Sequence, residues 1–529
     1  MGRYHPESFR SGPEGSSHKS FCMMQEIIIS AAKNGSPTAR VNGKQLISPY
    51  NPEREAERFL TRESENPESV LIILGDTLGY LEKAAEKVFP GVKLLRFAFH
   101  PDLRGGKNRI TPWVPGDNPD TFLLGHLEEE DLPGLRVIEW PQASEFFPQT
   151  ARDCRESVLR IISRLNANLV TTGYFGRRWL RNTVFNYLLF EHLTVPSSRS
   201  DSAFIAASGP SLEESIRDIK KYRKKFDLWA LPSSITPLLS AGIIPDAAVC
   251  SDPGHYSLLH FKPLLGWNTE LPLAMPLYGV QGLQDTLPLF LFSGGSFYED
   301  DLLDGLEVPK VPQNGTVSGT AMLLLKALGY RNIVFAGLDF TGRDIRSHVR
   351  PHTFDAYYHE RTDRTNPLVH QLFTASLGTG SFSRQLETYR EWFGGLGERQ
   401  KKGVYRINPS AVNPGIPEIT GAELSQLSDS DSKLSFSRIK RADFTERKKT
   451  AERVIRGWED EYRRFITEND RADRGKELAK MIGGSDYLDF LRTRRSTDKT
   501  RQARITAKLE ERGNSFFRSV IRRLEGVLE

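Results

Sequence analysis

Four of the chain's eleven histidines, His348, His352, His359 and His370, fall in one short stretch. Imidazole exchanges a proton near neutral pH, so such a cluster can do general acid or base work. The same residues also read as a loop of exposed imidazoles. Their spacing is not a clean set of metal ligands, and no metal site is expected from it. A second group is Asn314-Gly315-Thr316-Val317-Ser318-Gly319-Thr320, small polar residues and two glycines ahead of an apolar helical run. Thr316, Ser318 and Thr320 can cap that helix or meet a ligand. A third group is Ser208-Gly209-Pro210-Ser211, where the apolar run Phe204–Ala207 gives way to a charged helical pattern. Glycine allows close backbone approach, and proline loses nothing at a first helical turn. The free N–H groups and dipole of a helix start favour an anion, usually a phosphate.

Those groups need a scaffold, and the hydrophobic pattern supplies one. From Ser202 onward the runs Phe204–Ala207, Leu228–Leu231, Ala247–Cys250, Leu273–Pro276 and Ile333–Ala336 read as strands. Helical stretches such as Ser234–Ala241 and Ser318–Leu328 lie between some of them. Strands alternating with helices predict a doubly wound, mainly parallel α/β sheet, whose ligands sit at the carboxyl ends of the strands. Ser208, Ser233, Asp252 and Asp339 each follow such a run.

Four segments are expected. Residues 1–23 are polar, without an apolar signal core, and read as disordered or as sequence ahead of a start at Met23 or Met24. Residues 24–196 form a Rossmann-like α/β domain, beginning with the buried run Val70–Leu74 and Gly75-Asp76-Thr77-Leu78-Gly79. Those two glycines do not complete a dinucleotide fingerprint, so they are read as helix–sheet packing. Pro196–Asp201 reads as a linker, and residues 200–425 form the central domain. Residues 440–529 are rich in Arg, Lys and Glu with spaced apolar positions, a pattern for amphipathic helices that are solvated or meet a protein partner.

Composition narrows the class. The chain has 529 residues, 38% of them hydrophobic and 26% charged, with a net charge of +5. That balance gives no reason to expect nucleic acid as a partner. Cys22, Cys154 and Cys250 are scattered without ligand-like spacing, which argues against structural zinc and a disulfide framework and fits a reducing, cytoplasmic compartment. No run approaches the roughly 18 apolar residues needed to cross a bilayer.

In this order, Phe204–Leu212, Ser251-Asp252-Pro253, Asn314–Ala321 and Gly337–Phe340 resemble the central domain of the motility accessory factor (Maf) glycosyltransferases. Ser36-Pro37-Thr38, Asn42-Gly43, Ser48-Pro49-Tyr50-Asn51-Pro52 and Glu55-Ala56 resemble the start of that family's N-terminal domain. The central domain is also similar to bacterial sialyltransferases, which carry Gly-Asn-Gly-Pro-Ser-Leu where this chain has Ala207-Ser208-Gly209-Pro210-Ser211-Leu212. Their Ser-Gly, Ala-Leu-Gly-Tyr and Gly-Ile-Asp-Phe segments correspond to Ser318-Gly319, Ala327–Tyr330 and Gly337–Phe340. Two departures are Ser208 in place of Asn, and Thr341 where the sialyltransferases have a phosphate-binding tyrosine.

The resemblance implies transfer of a nonulosonic sugar from CMP to Ser or Thr hydroxyls of flagellin, with inversion. It implies no cofactor beyond the CMP-sugar donor. Ser347-His348 resembles the Thr-His of Maf proteins, which makes His348 the implied base, with His352 and His370 as alternatives. The backbone at Ser208, Gly209, Pro210 and Ser211 would hold the nucleotide. Thr316 and Ser318, within Asn314–Gly319, would meet the phosphate or the sugar carboxylate; Asp252 and Asp339 would anchor hydroxyls or base, and Ser233 would border the pocket. The central pattern is also similar to an archaeal pterin pyrophosphokinase family, which would use ATP and Mg²⁺ held by Asp252 and Asp339. A third reading is a non-catalytic protein that binds flagellin.

Overall fold

The computed structural model describes residues 25–62, 67, 69–107, 109–191, 193–266, 271–283, 287–303, 305–343, 346, 348–367, 384–409, 412–427, 432–468, 472–494 and 498–527. The expected N-terminal extension, Ser347 and His370 lie outside the described residues. The chain divides into two compact units, one of Met1–Tyr174 with Arg463–Asn514, the other of Phe175–Tyr462 with Ser515–Glu529.

The first unit opens with an antiparallel sheet of β1 (Ile27–Ala31), β2 (Pro37–Val41) and β3 (Lys44–Gln45). Asn42 and Gly43 join β2 to β3 with φ of 48° and 78°, the left-handed pair that a two-residue hairpin requires. Glu55, in helix α1 (Pro52–Arg62), accepts from the Ser48 N–H at 2.7 Å, which fixes the chain's entry into the helix. A parallel three-stranded sheet follows, with β4 (Val70–Leu74) between β5 (Lys93–Phe97) and β6 (Arg136–Glu139), and helix α2 (Tyr80–Val88) links β4 to β5. All five β4 residues are buried, as a strand covered on both faces requires. The glycine turn after β4 is filled by the chain itself. A Cβ on Gly79 would lie 2.4 Å from Gly106 N, and one on Gly105 would lie 2.2 Å from Leu78 C.

Helix α3 (Pro148–Leu189) runs 42 residues and contributes to both units. Among the described residues of the second unit the sheet has nine strands. Eight are parallel: β7 (Leu193–Ser198), β8 (Ser202–Ala206), β9 (Asp227–Ala230), β10 (Ala247–Val249), β11 (Leu273–Met275), β12 (Leu289–Leu291), β13 (Asn332–Ala336) and β14 (Val404–Ile407). The ninth, β15 (Ser435–Ile439), pairs antiparallel with β7. The spatial order is β14-β13-β8-β9-β10-β11-β12-β7-β15. The segment expected to be a linker is therefore strand as far as Ser198, and the edge strand β15 lies past the expected central domain.

Helix α4 (Leu212–Tyr222) follows β8, and α5 (Val317–Ala327) precedes β13. Trp229, Phe335, Leu324 and Leu325 are fully buried in the core of this unit. Burying each such side chain is worth about 1.5–3 kcal/mol, so the layer under α5 is held chiefly by apolar contact. Helices α6 (Phe444–Thr467), α7 (Asp473–Gly483), α8 (Ser485–Arg494) and α9 (Lys499–Glu525) complete the chain. The expected architecture, a mainly parallel α/β sheet with a helical C-terminal region, is the one found. Among the described residues no helix is long and apolar enough to cross a membrane.

Candidate functional site

The chain reverses its winding between β8 and β13, and loops leaving β13, β8, β9 and β10 meet at that edge of the sheet. Such switch points are where open α/β sheets bind ligands. The loop after β13 lies across the other three. Val349 N–H donates to Ser208 O at 2.9 Å, and Thr353 Oγ1 lies 2.8 Å from Thr236 Oγ1 in the short helix after β9. Arg346 pairs with Glu213 at 2.9 Å, and Arg343 pairs with Glu214, both in the first turn of α4.

This closure assembles three imidazoles. His348 stacks on His352, with ring centroids 4.5 Å apart and planes at 28°. His352 meets His260, from the loop after β10, edge to face at 5.7 Å. His260 is buried and His348 is exposed at the edge. Burial and the adjoining imidazoles push His352 down to about 3. Burial and His348 push His260 down to about 4. Packing also lowers His348, against the pull of Asp355. His352 Nε2 and His260 Nδ1 are buried without a hydrogen-bond partner among the described residues. His359 lies exposed on the next short helix, apart from the three. His260 was missed from the sequence, because it precedes the other two by most of the sheet.

The turn after β8 differs from expectation. Asp339 is buried, and its carboxylate accepts from the Ser211 N–H at 2.8 Å and the Ser211 hydroxyl at 2.5 Å. Gly209 N–H donates to Gly337 O at 2.9 Å, Leu212 N–H to Gly209 O at 3.0 Å, and Glu213 N–H to Pro210 O at 3.2 Å. Pro210 has no N–H to offer. The anion at the start of α4 is thus the protein's own Asp339, which takes the place a phosphate would occupy there. The expected backbone cradle at Gly209, Pro210 and Ser211 is closed from within, and Asp339 braces it rather than facing a ligand. Ser208 is half-buried, and its carbonyl meets the loop after β13 through Val349.

The Asn314–Thr320 segment presents a different helix start. The first turn of α5 carries no acid. Asn314 Oδ1 accepts from the Thr316 N–H at 3.1 Å, and Asn314 Nδ2 donates to Thr320 Oγ1 at 3.2 Å. Thr316 and Ser318 place their hydroxyls 2.8 Å apart, and neither Thr316 nor Ser318 is more than 8% exposed. Thr316 does not cap the helix with its side chain. Gly315 takes φ 78°, and Gly319 is required by packing, since a Cβ there would lie 2.7 Å from both Asn314 Oδ1 and Trp392 Cζ3.

Ser233 is half-buried on the turn after β9. Asp252, after β10, is exposed and accepts from the Gly254 N–H at 2.7 Å. Asn182 and Asn186 on α3 also position this edge. Asn182 Nδ2 donates to Gly279 O at 2.8 Å and to Pro253 O at 3.2 Å, and Asn186 Nδ2 donates to Leu277 O at 2.8 Å. Both are buried carboxamides on an otherwise apolar helix face, a signal the sequence does offer. Glu299 ties the loops after β11 and β12, accepting from Leu277 N–H at 3.2 Å and Gly294 N–H at 2.9 Å. Burial pushes it up to about 7.

Residues 177–344 match a family model described as MptE-like, 6-hydroxymethylpterin diphosphokinase MptE-like. Two proteins of Treponema pallidum (strain Nichols), both described as uncharacterized, are similar in sequence. One is 28% identical over 312 residues, 58% of this chain and 67% of that protein. The other is 26% identical over 116 residues, 21% of this chain and 55% of that protein. The solved structure of a MAf glycosyltransferase from Magnetospirillum magneticum AMB-1 superposes with a TM-score of 0.58 at 11% identity, covering 96% of this chain and 94% of that one. The chain has a Maf-like fold.

Proposed function

We propose that the protein is a glycosyltransferase that moves a nonulosonic sugar from a CMP donor to a Ser or Thr hydroxyl of a flagellin-type acceptor, in the cytoplasm and in support of motility. The observation that carries this reading is the imidazole stack at the switch point of a Maf-like sheet. An acceptor hydroxyl must lose its proton as the new bond forms. His348 stands at the exposed end of the stack, and the Asp355 carboxylate raises its basicity. His352 and His260 are held neutral and are poor bases at neutral pH. His348 is therefore the base and His352 orients its ring; as His348 takes the proton, the acceptor oxygen bonds to the sugar carbon, whose bond to the phosphate oxygen breaks, and CMP leaves in one displacement with inversion. Thr316 and Ser318, at a helix start free of acids, take the sugar carboxylate. Ser208, Ser233 and Asp252 border the donor. No metal is required.

The match to the pterin diphosphokinase family favours a second reading, transfer of pyrophosphate from ATP. That chemistry draws on Mg²⁺, for which the sequence offered Asp252 and Asp339. The two do not fit as a pair. They follow β10 and β13, which are three strand spacings apart, or roughly 14 Å, and Asp339 is bonded to Ser211. Mg²⁺ binds its ligands at about 2.1 Å.

Thermal melts of the full chain with CMP, UDP, GDP and ATP, each with and without Mg²⁺, separate the readings. Stabilisation by CMP without metal is expected. Stabilisation by ATP with Mg²⁺ alone overturns the glycosyltransferase reading in favour of the second.

A further inference from the structure

Three arginines lie at positions 177, 178 and 181 of α3, and a fourth, Arg523, lies near the end of α9. Gln281, in the loop after β11, joins them: its amide donates to Arg181 O at 3.3 Å, and its Oε1 accepts from Arg523 Nη2 at 3.3 Å. Two of the guanidiniums lie over aromatic faces, Arg523 4.0 Å from the Phe185 ring centre and Arg178 5.5 Å from that of Phe175. Asn182, within the same turn of α3, holds Pro253 and Gly279. The cluster therefore borders the carboxyl ends of β10 and β11, on the Asp252 side of the candidate site. Among the described residues none of the four guanidiniums forms a salt bridge. Asp252 is the acid within electrostatic reach of Arg178. Four guanidiniums beside one carboxylate leave a surplus of positive charge, with Arg523, Arg178 and Arg177 all acting against Arg181, and an anionic ligand relieves that repulsion.

We propose that Arg177, Arg178, Arg181 and Arg523 form an anion subsite that receives the phosphate of the nucleotide donor. The inference rests on the donor reading above and deepens it. A CMP-activated sugar acid carries two separate anions, a phosphate and a carboxylate. The turn after β8 is closed by Asp339, and its N–H groups are bonded within the protein, so it does not serve the phosphate. The start of α5 offers one acid-free place and the arginine cluster a second.

Isothermal titration of cytidine, CMP and inorganic pyrophosphate into the full chain tests it. The variants are Arg178→Ala/Arg181→Ala, Arg178→Lys/Arg181→Lys and the remote control Lys220→Ala/Lys221→Ala, with circular dichroism to verify folding. The Ala pair is expected to weaken CMP and pyrophosphate by about tenfold or more while leaving cytidine unchanged. The Lys pair keeps charge without the fork and should fall between, and the control should match wild type. Equal CMP affinity in wild type and the Ala pair overturns the subsite and leaves the donor reading standing. Pyrophosphate binding that is lost in the Ala pair, with no cytidine compound binding, upholds the subsite and sinks the donor reading. An equal loss in the control, or no binding of any of the three to wild type, overturns the subsite.

Discussion

At the scale of single residues, His348 sets the pH response of the reaction. Its proton affinity is lowered, so it is a free base at neutral pH and is protonated only on the acid side of the ordinary value, 6.5. Transfer rate against pH should therefore be level through neutrality and fall on acidification. His348→Ala should lose roughly 10²–10⁴ of the rate, as removal of a general base does, while CMP affinity changes little. His352→Phe keeps the stacking surface and should cost less than His348→Ala. Glu299 gives a stability signature of the opposite sign. Its carboxyl rests at about 7 when folded against an ordinary 4.5, so the folded chain holds the proton more tightly. That contribution is full below about 4.5 and is lost as pH rises through 7. Glu299→Gln should flatten the fall in melting temperature between those limits. His352 and His260, held at about 3 and about 4 against 6.5, favour the folded state above 6.5, and this is lost on acidification.

At the scale of elements, the start of α4 is a lock rather than a cradle. Asp339→Ala strips two bonds from a buried carboxylate and should cost about 2–3 kcal/mol in chemical denaturation. Gly209→Ala should cost at least as much, because its Cβ would lie 2.5 Å from Asp339 Oδ2 and 2.6 Å from Gly337 O. The elements at this edge were largely legible in the sequence: Phe204–Ala207 and Ile333–Ala336 are apolar runs followed within two residues by glycine, and each is a strand within a residue or two. What was not legible depends on partners far along the chain. Ser211 and Asp339 are separated by 128 positions, so nothing local says that the acid fills the turn. β12 is a three-residue strand, too short for a periodicity, and β15 alternates serine with apolar and charged residues and has no apolar run to mark it. His260 was overlooked because it belongs to a different strand's loop from His348 and His352.

At the scale of the whole molecule, a ligand that binds only the folded chain raises its stability by mass action. A cytidine nucleotide at a hundred times its dissociation constant should add about 2.7 kcal/mol, readable as a rise in Tm. The Arg178→Ala/Arg181→Ala variant should show a smaller rise at the same concentration. One feature at this scale reaches beyond catalysis. β15 is the only partner of β7 on its outer side among the described residues, and it comes from Ser435–Ile439, past the segment that the sequence marked as the central domain. A shortened polypeptide stopping at residue 425 would leave that margin of the sheet with bare amides and carbonyls, an invitation for identical molecules to add themselves strand by strand. Gel filtration of such a fragment should find self-associated species where the full-length chain elutes without them, so the tail acts as a guard on solubility as well as a source of helices.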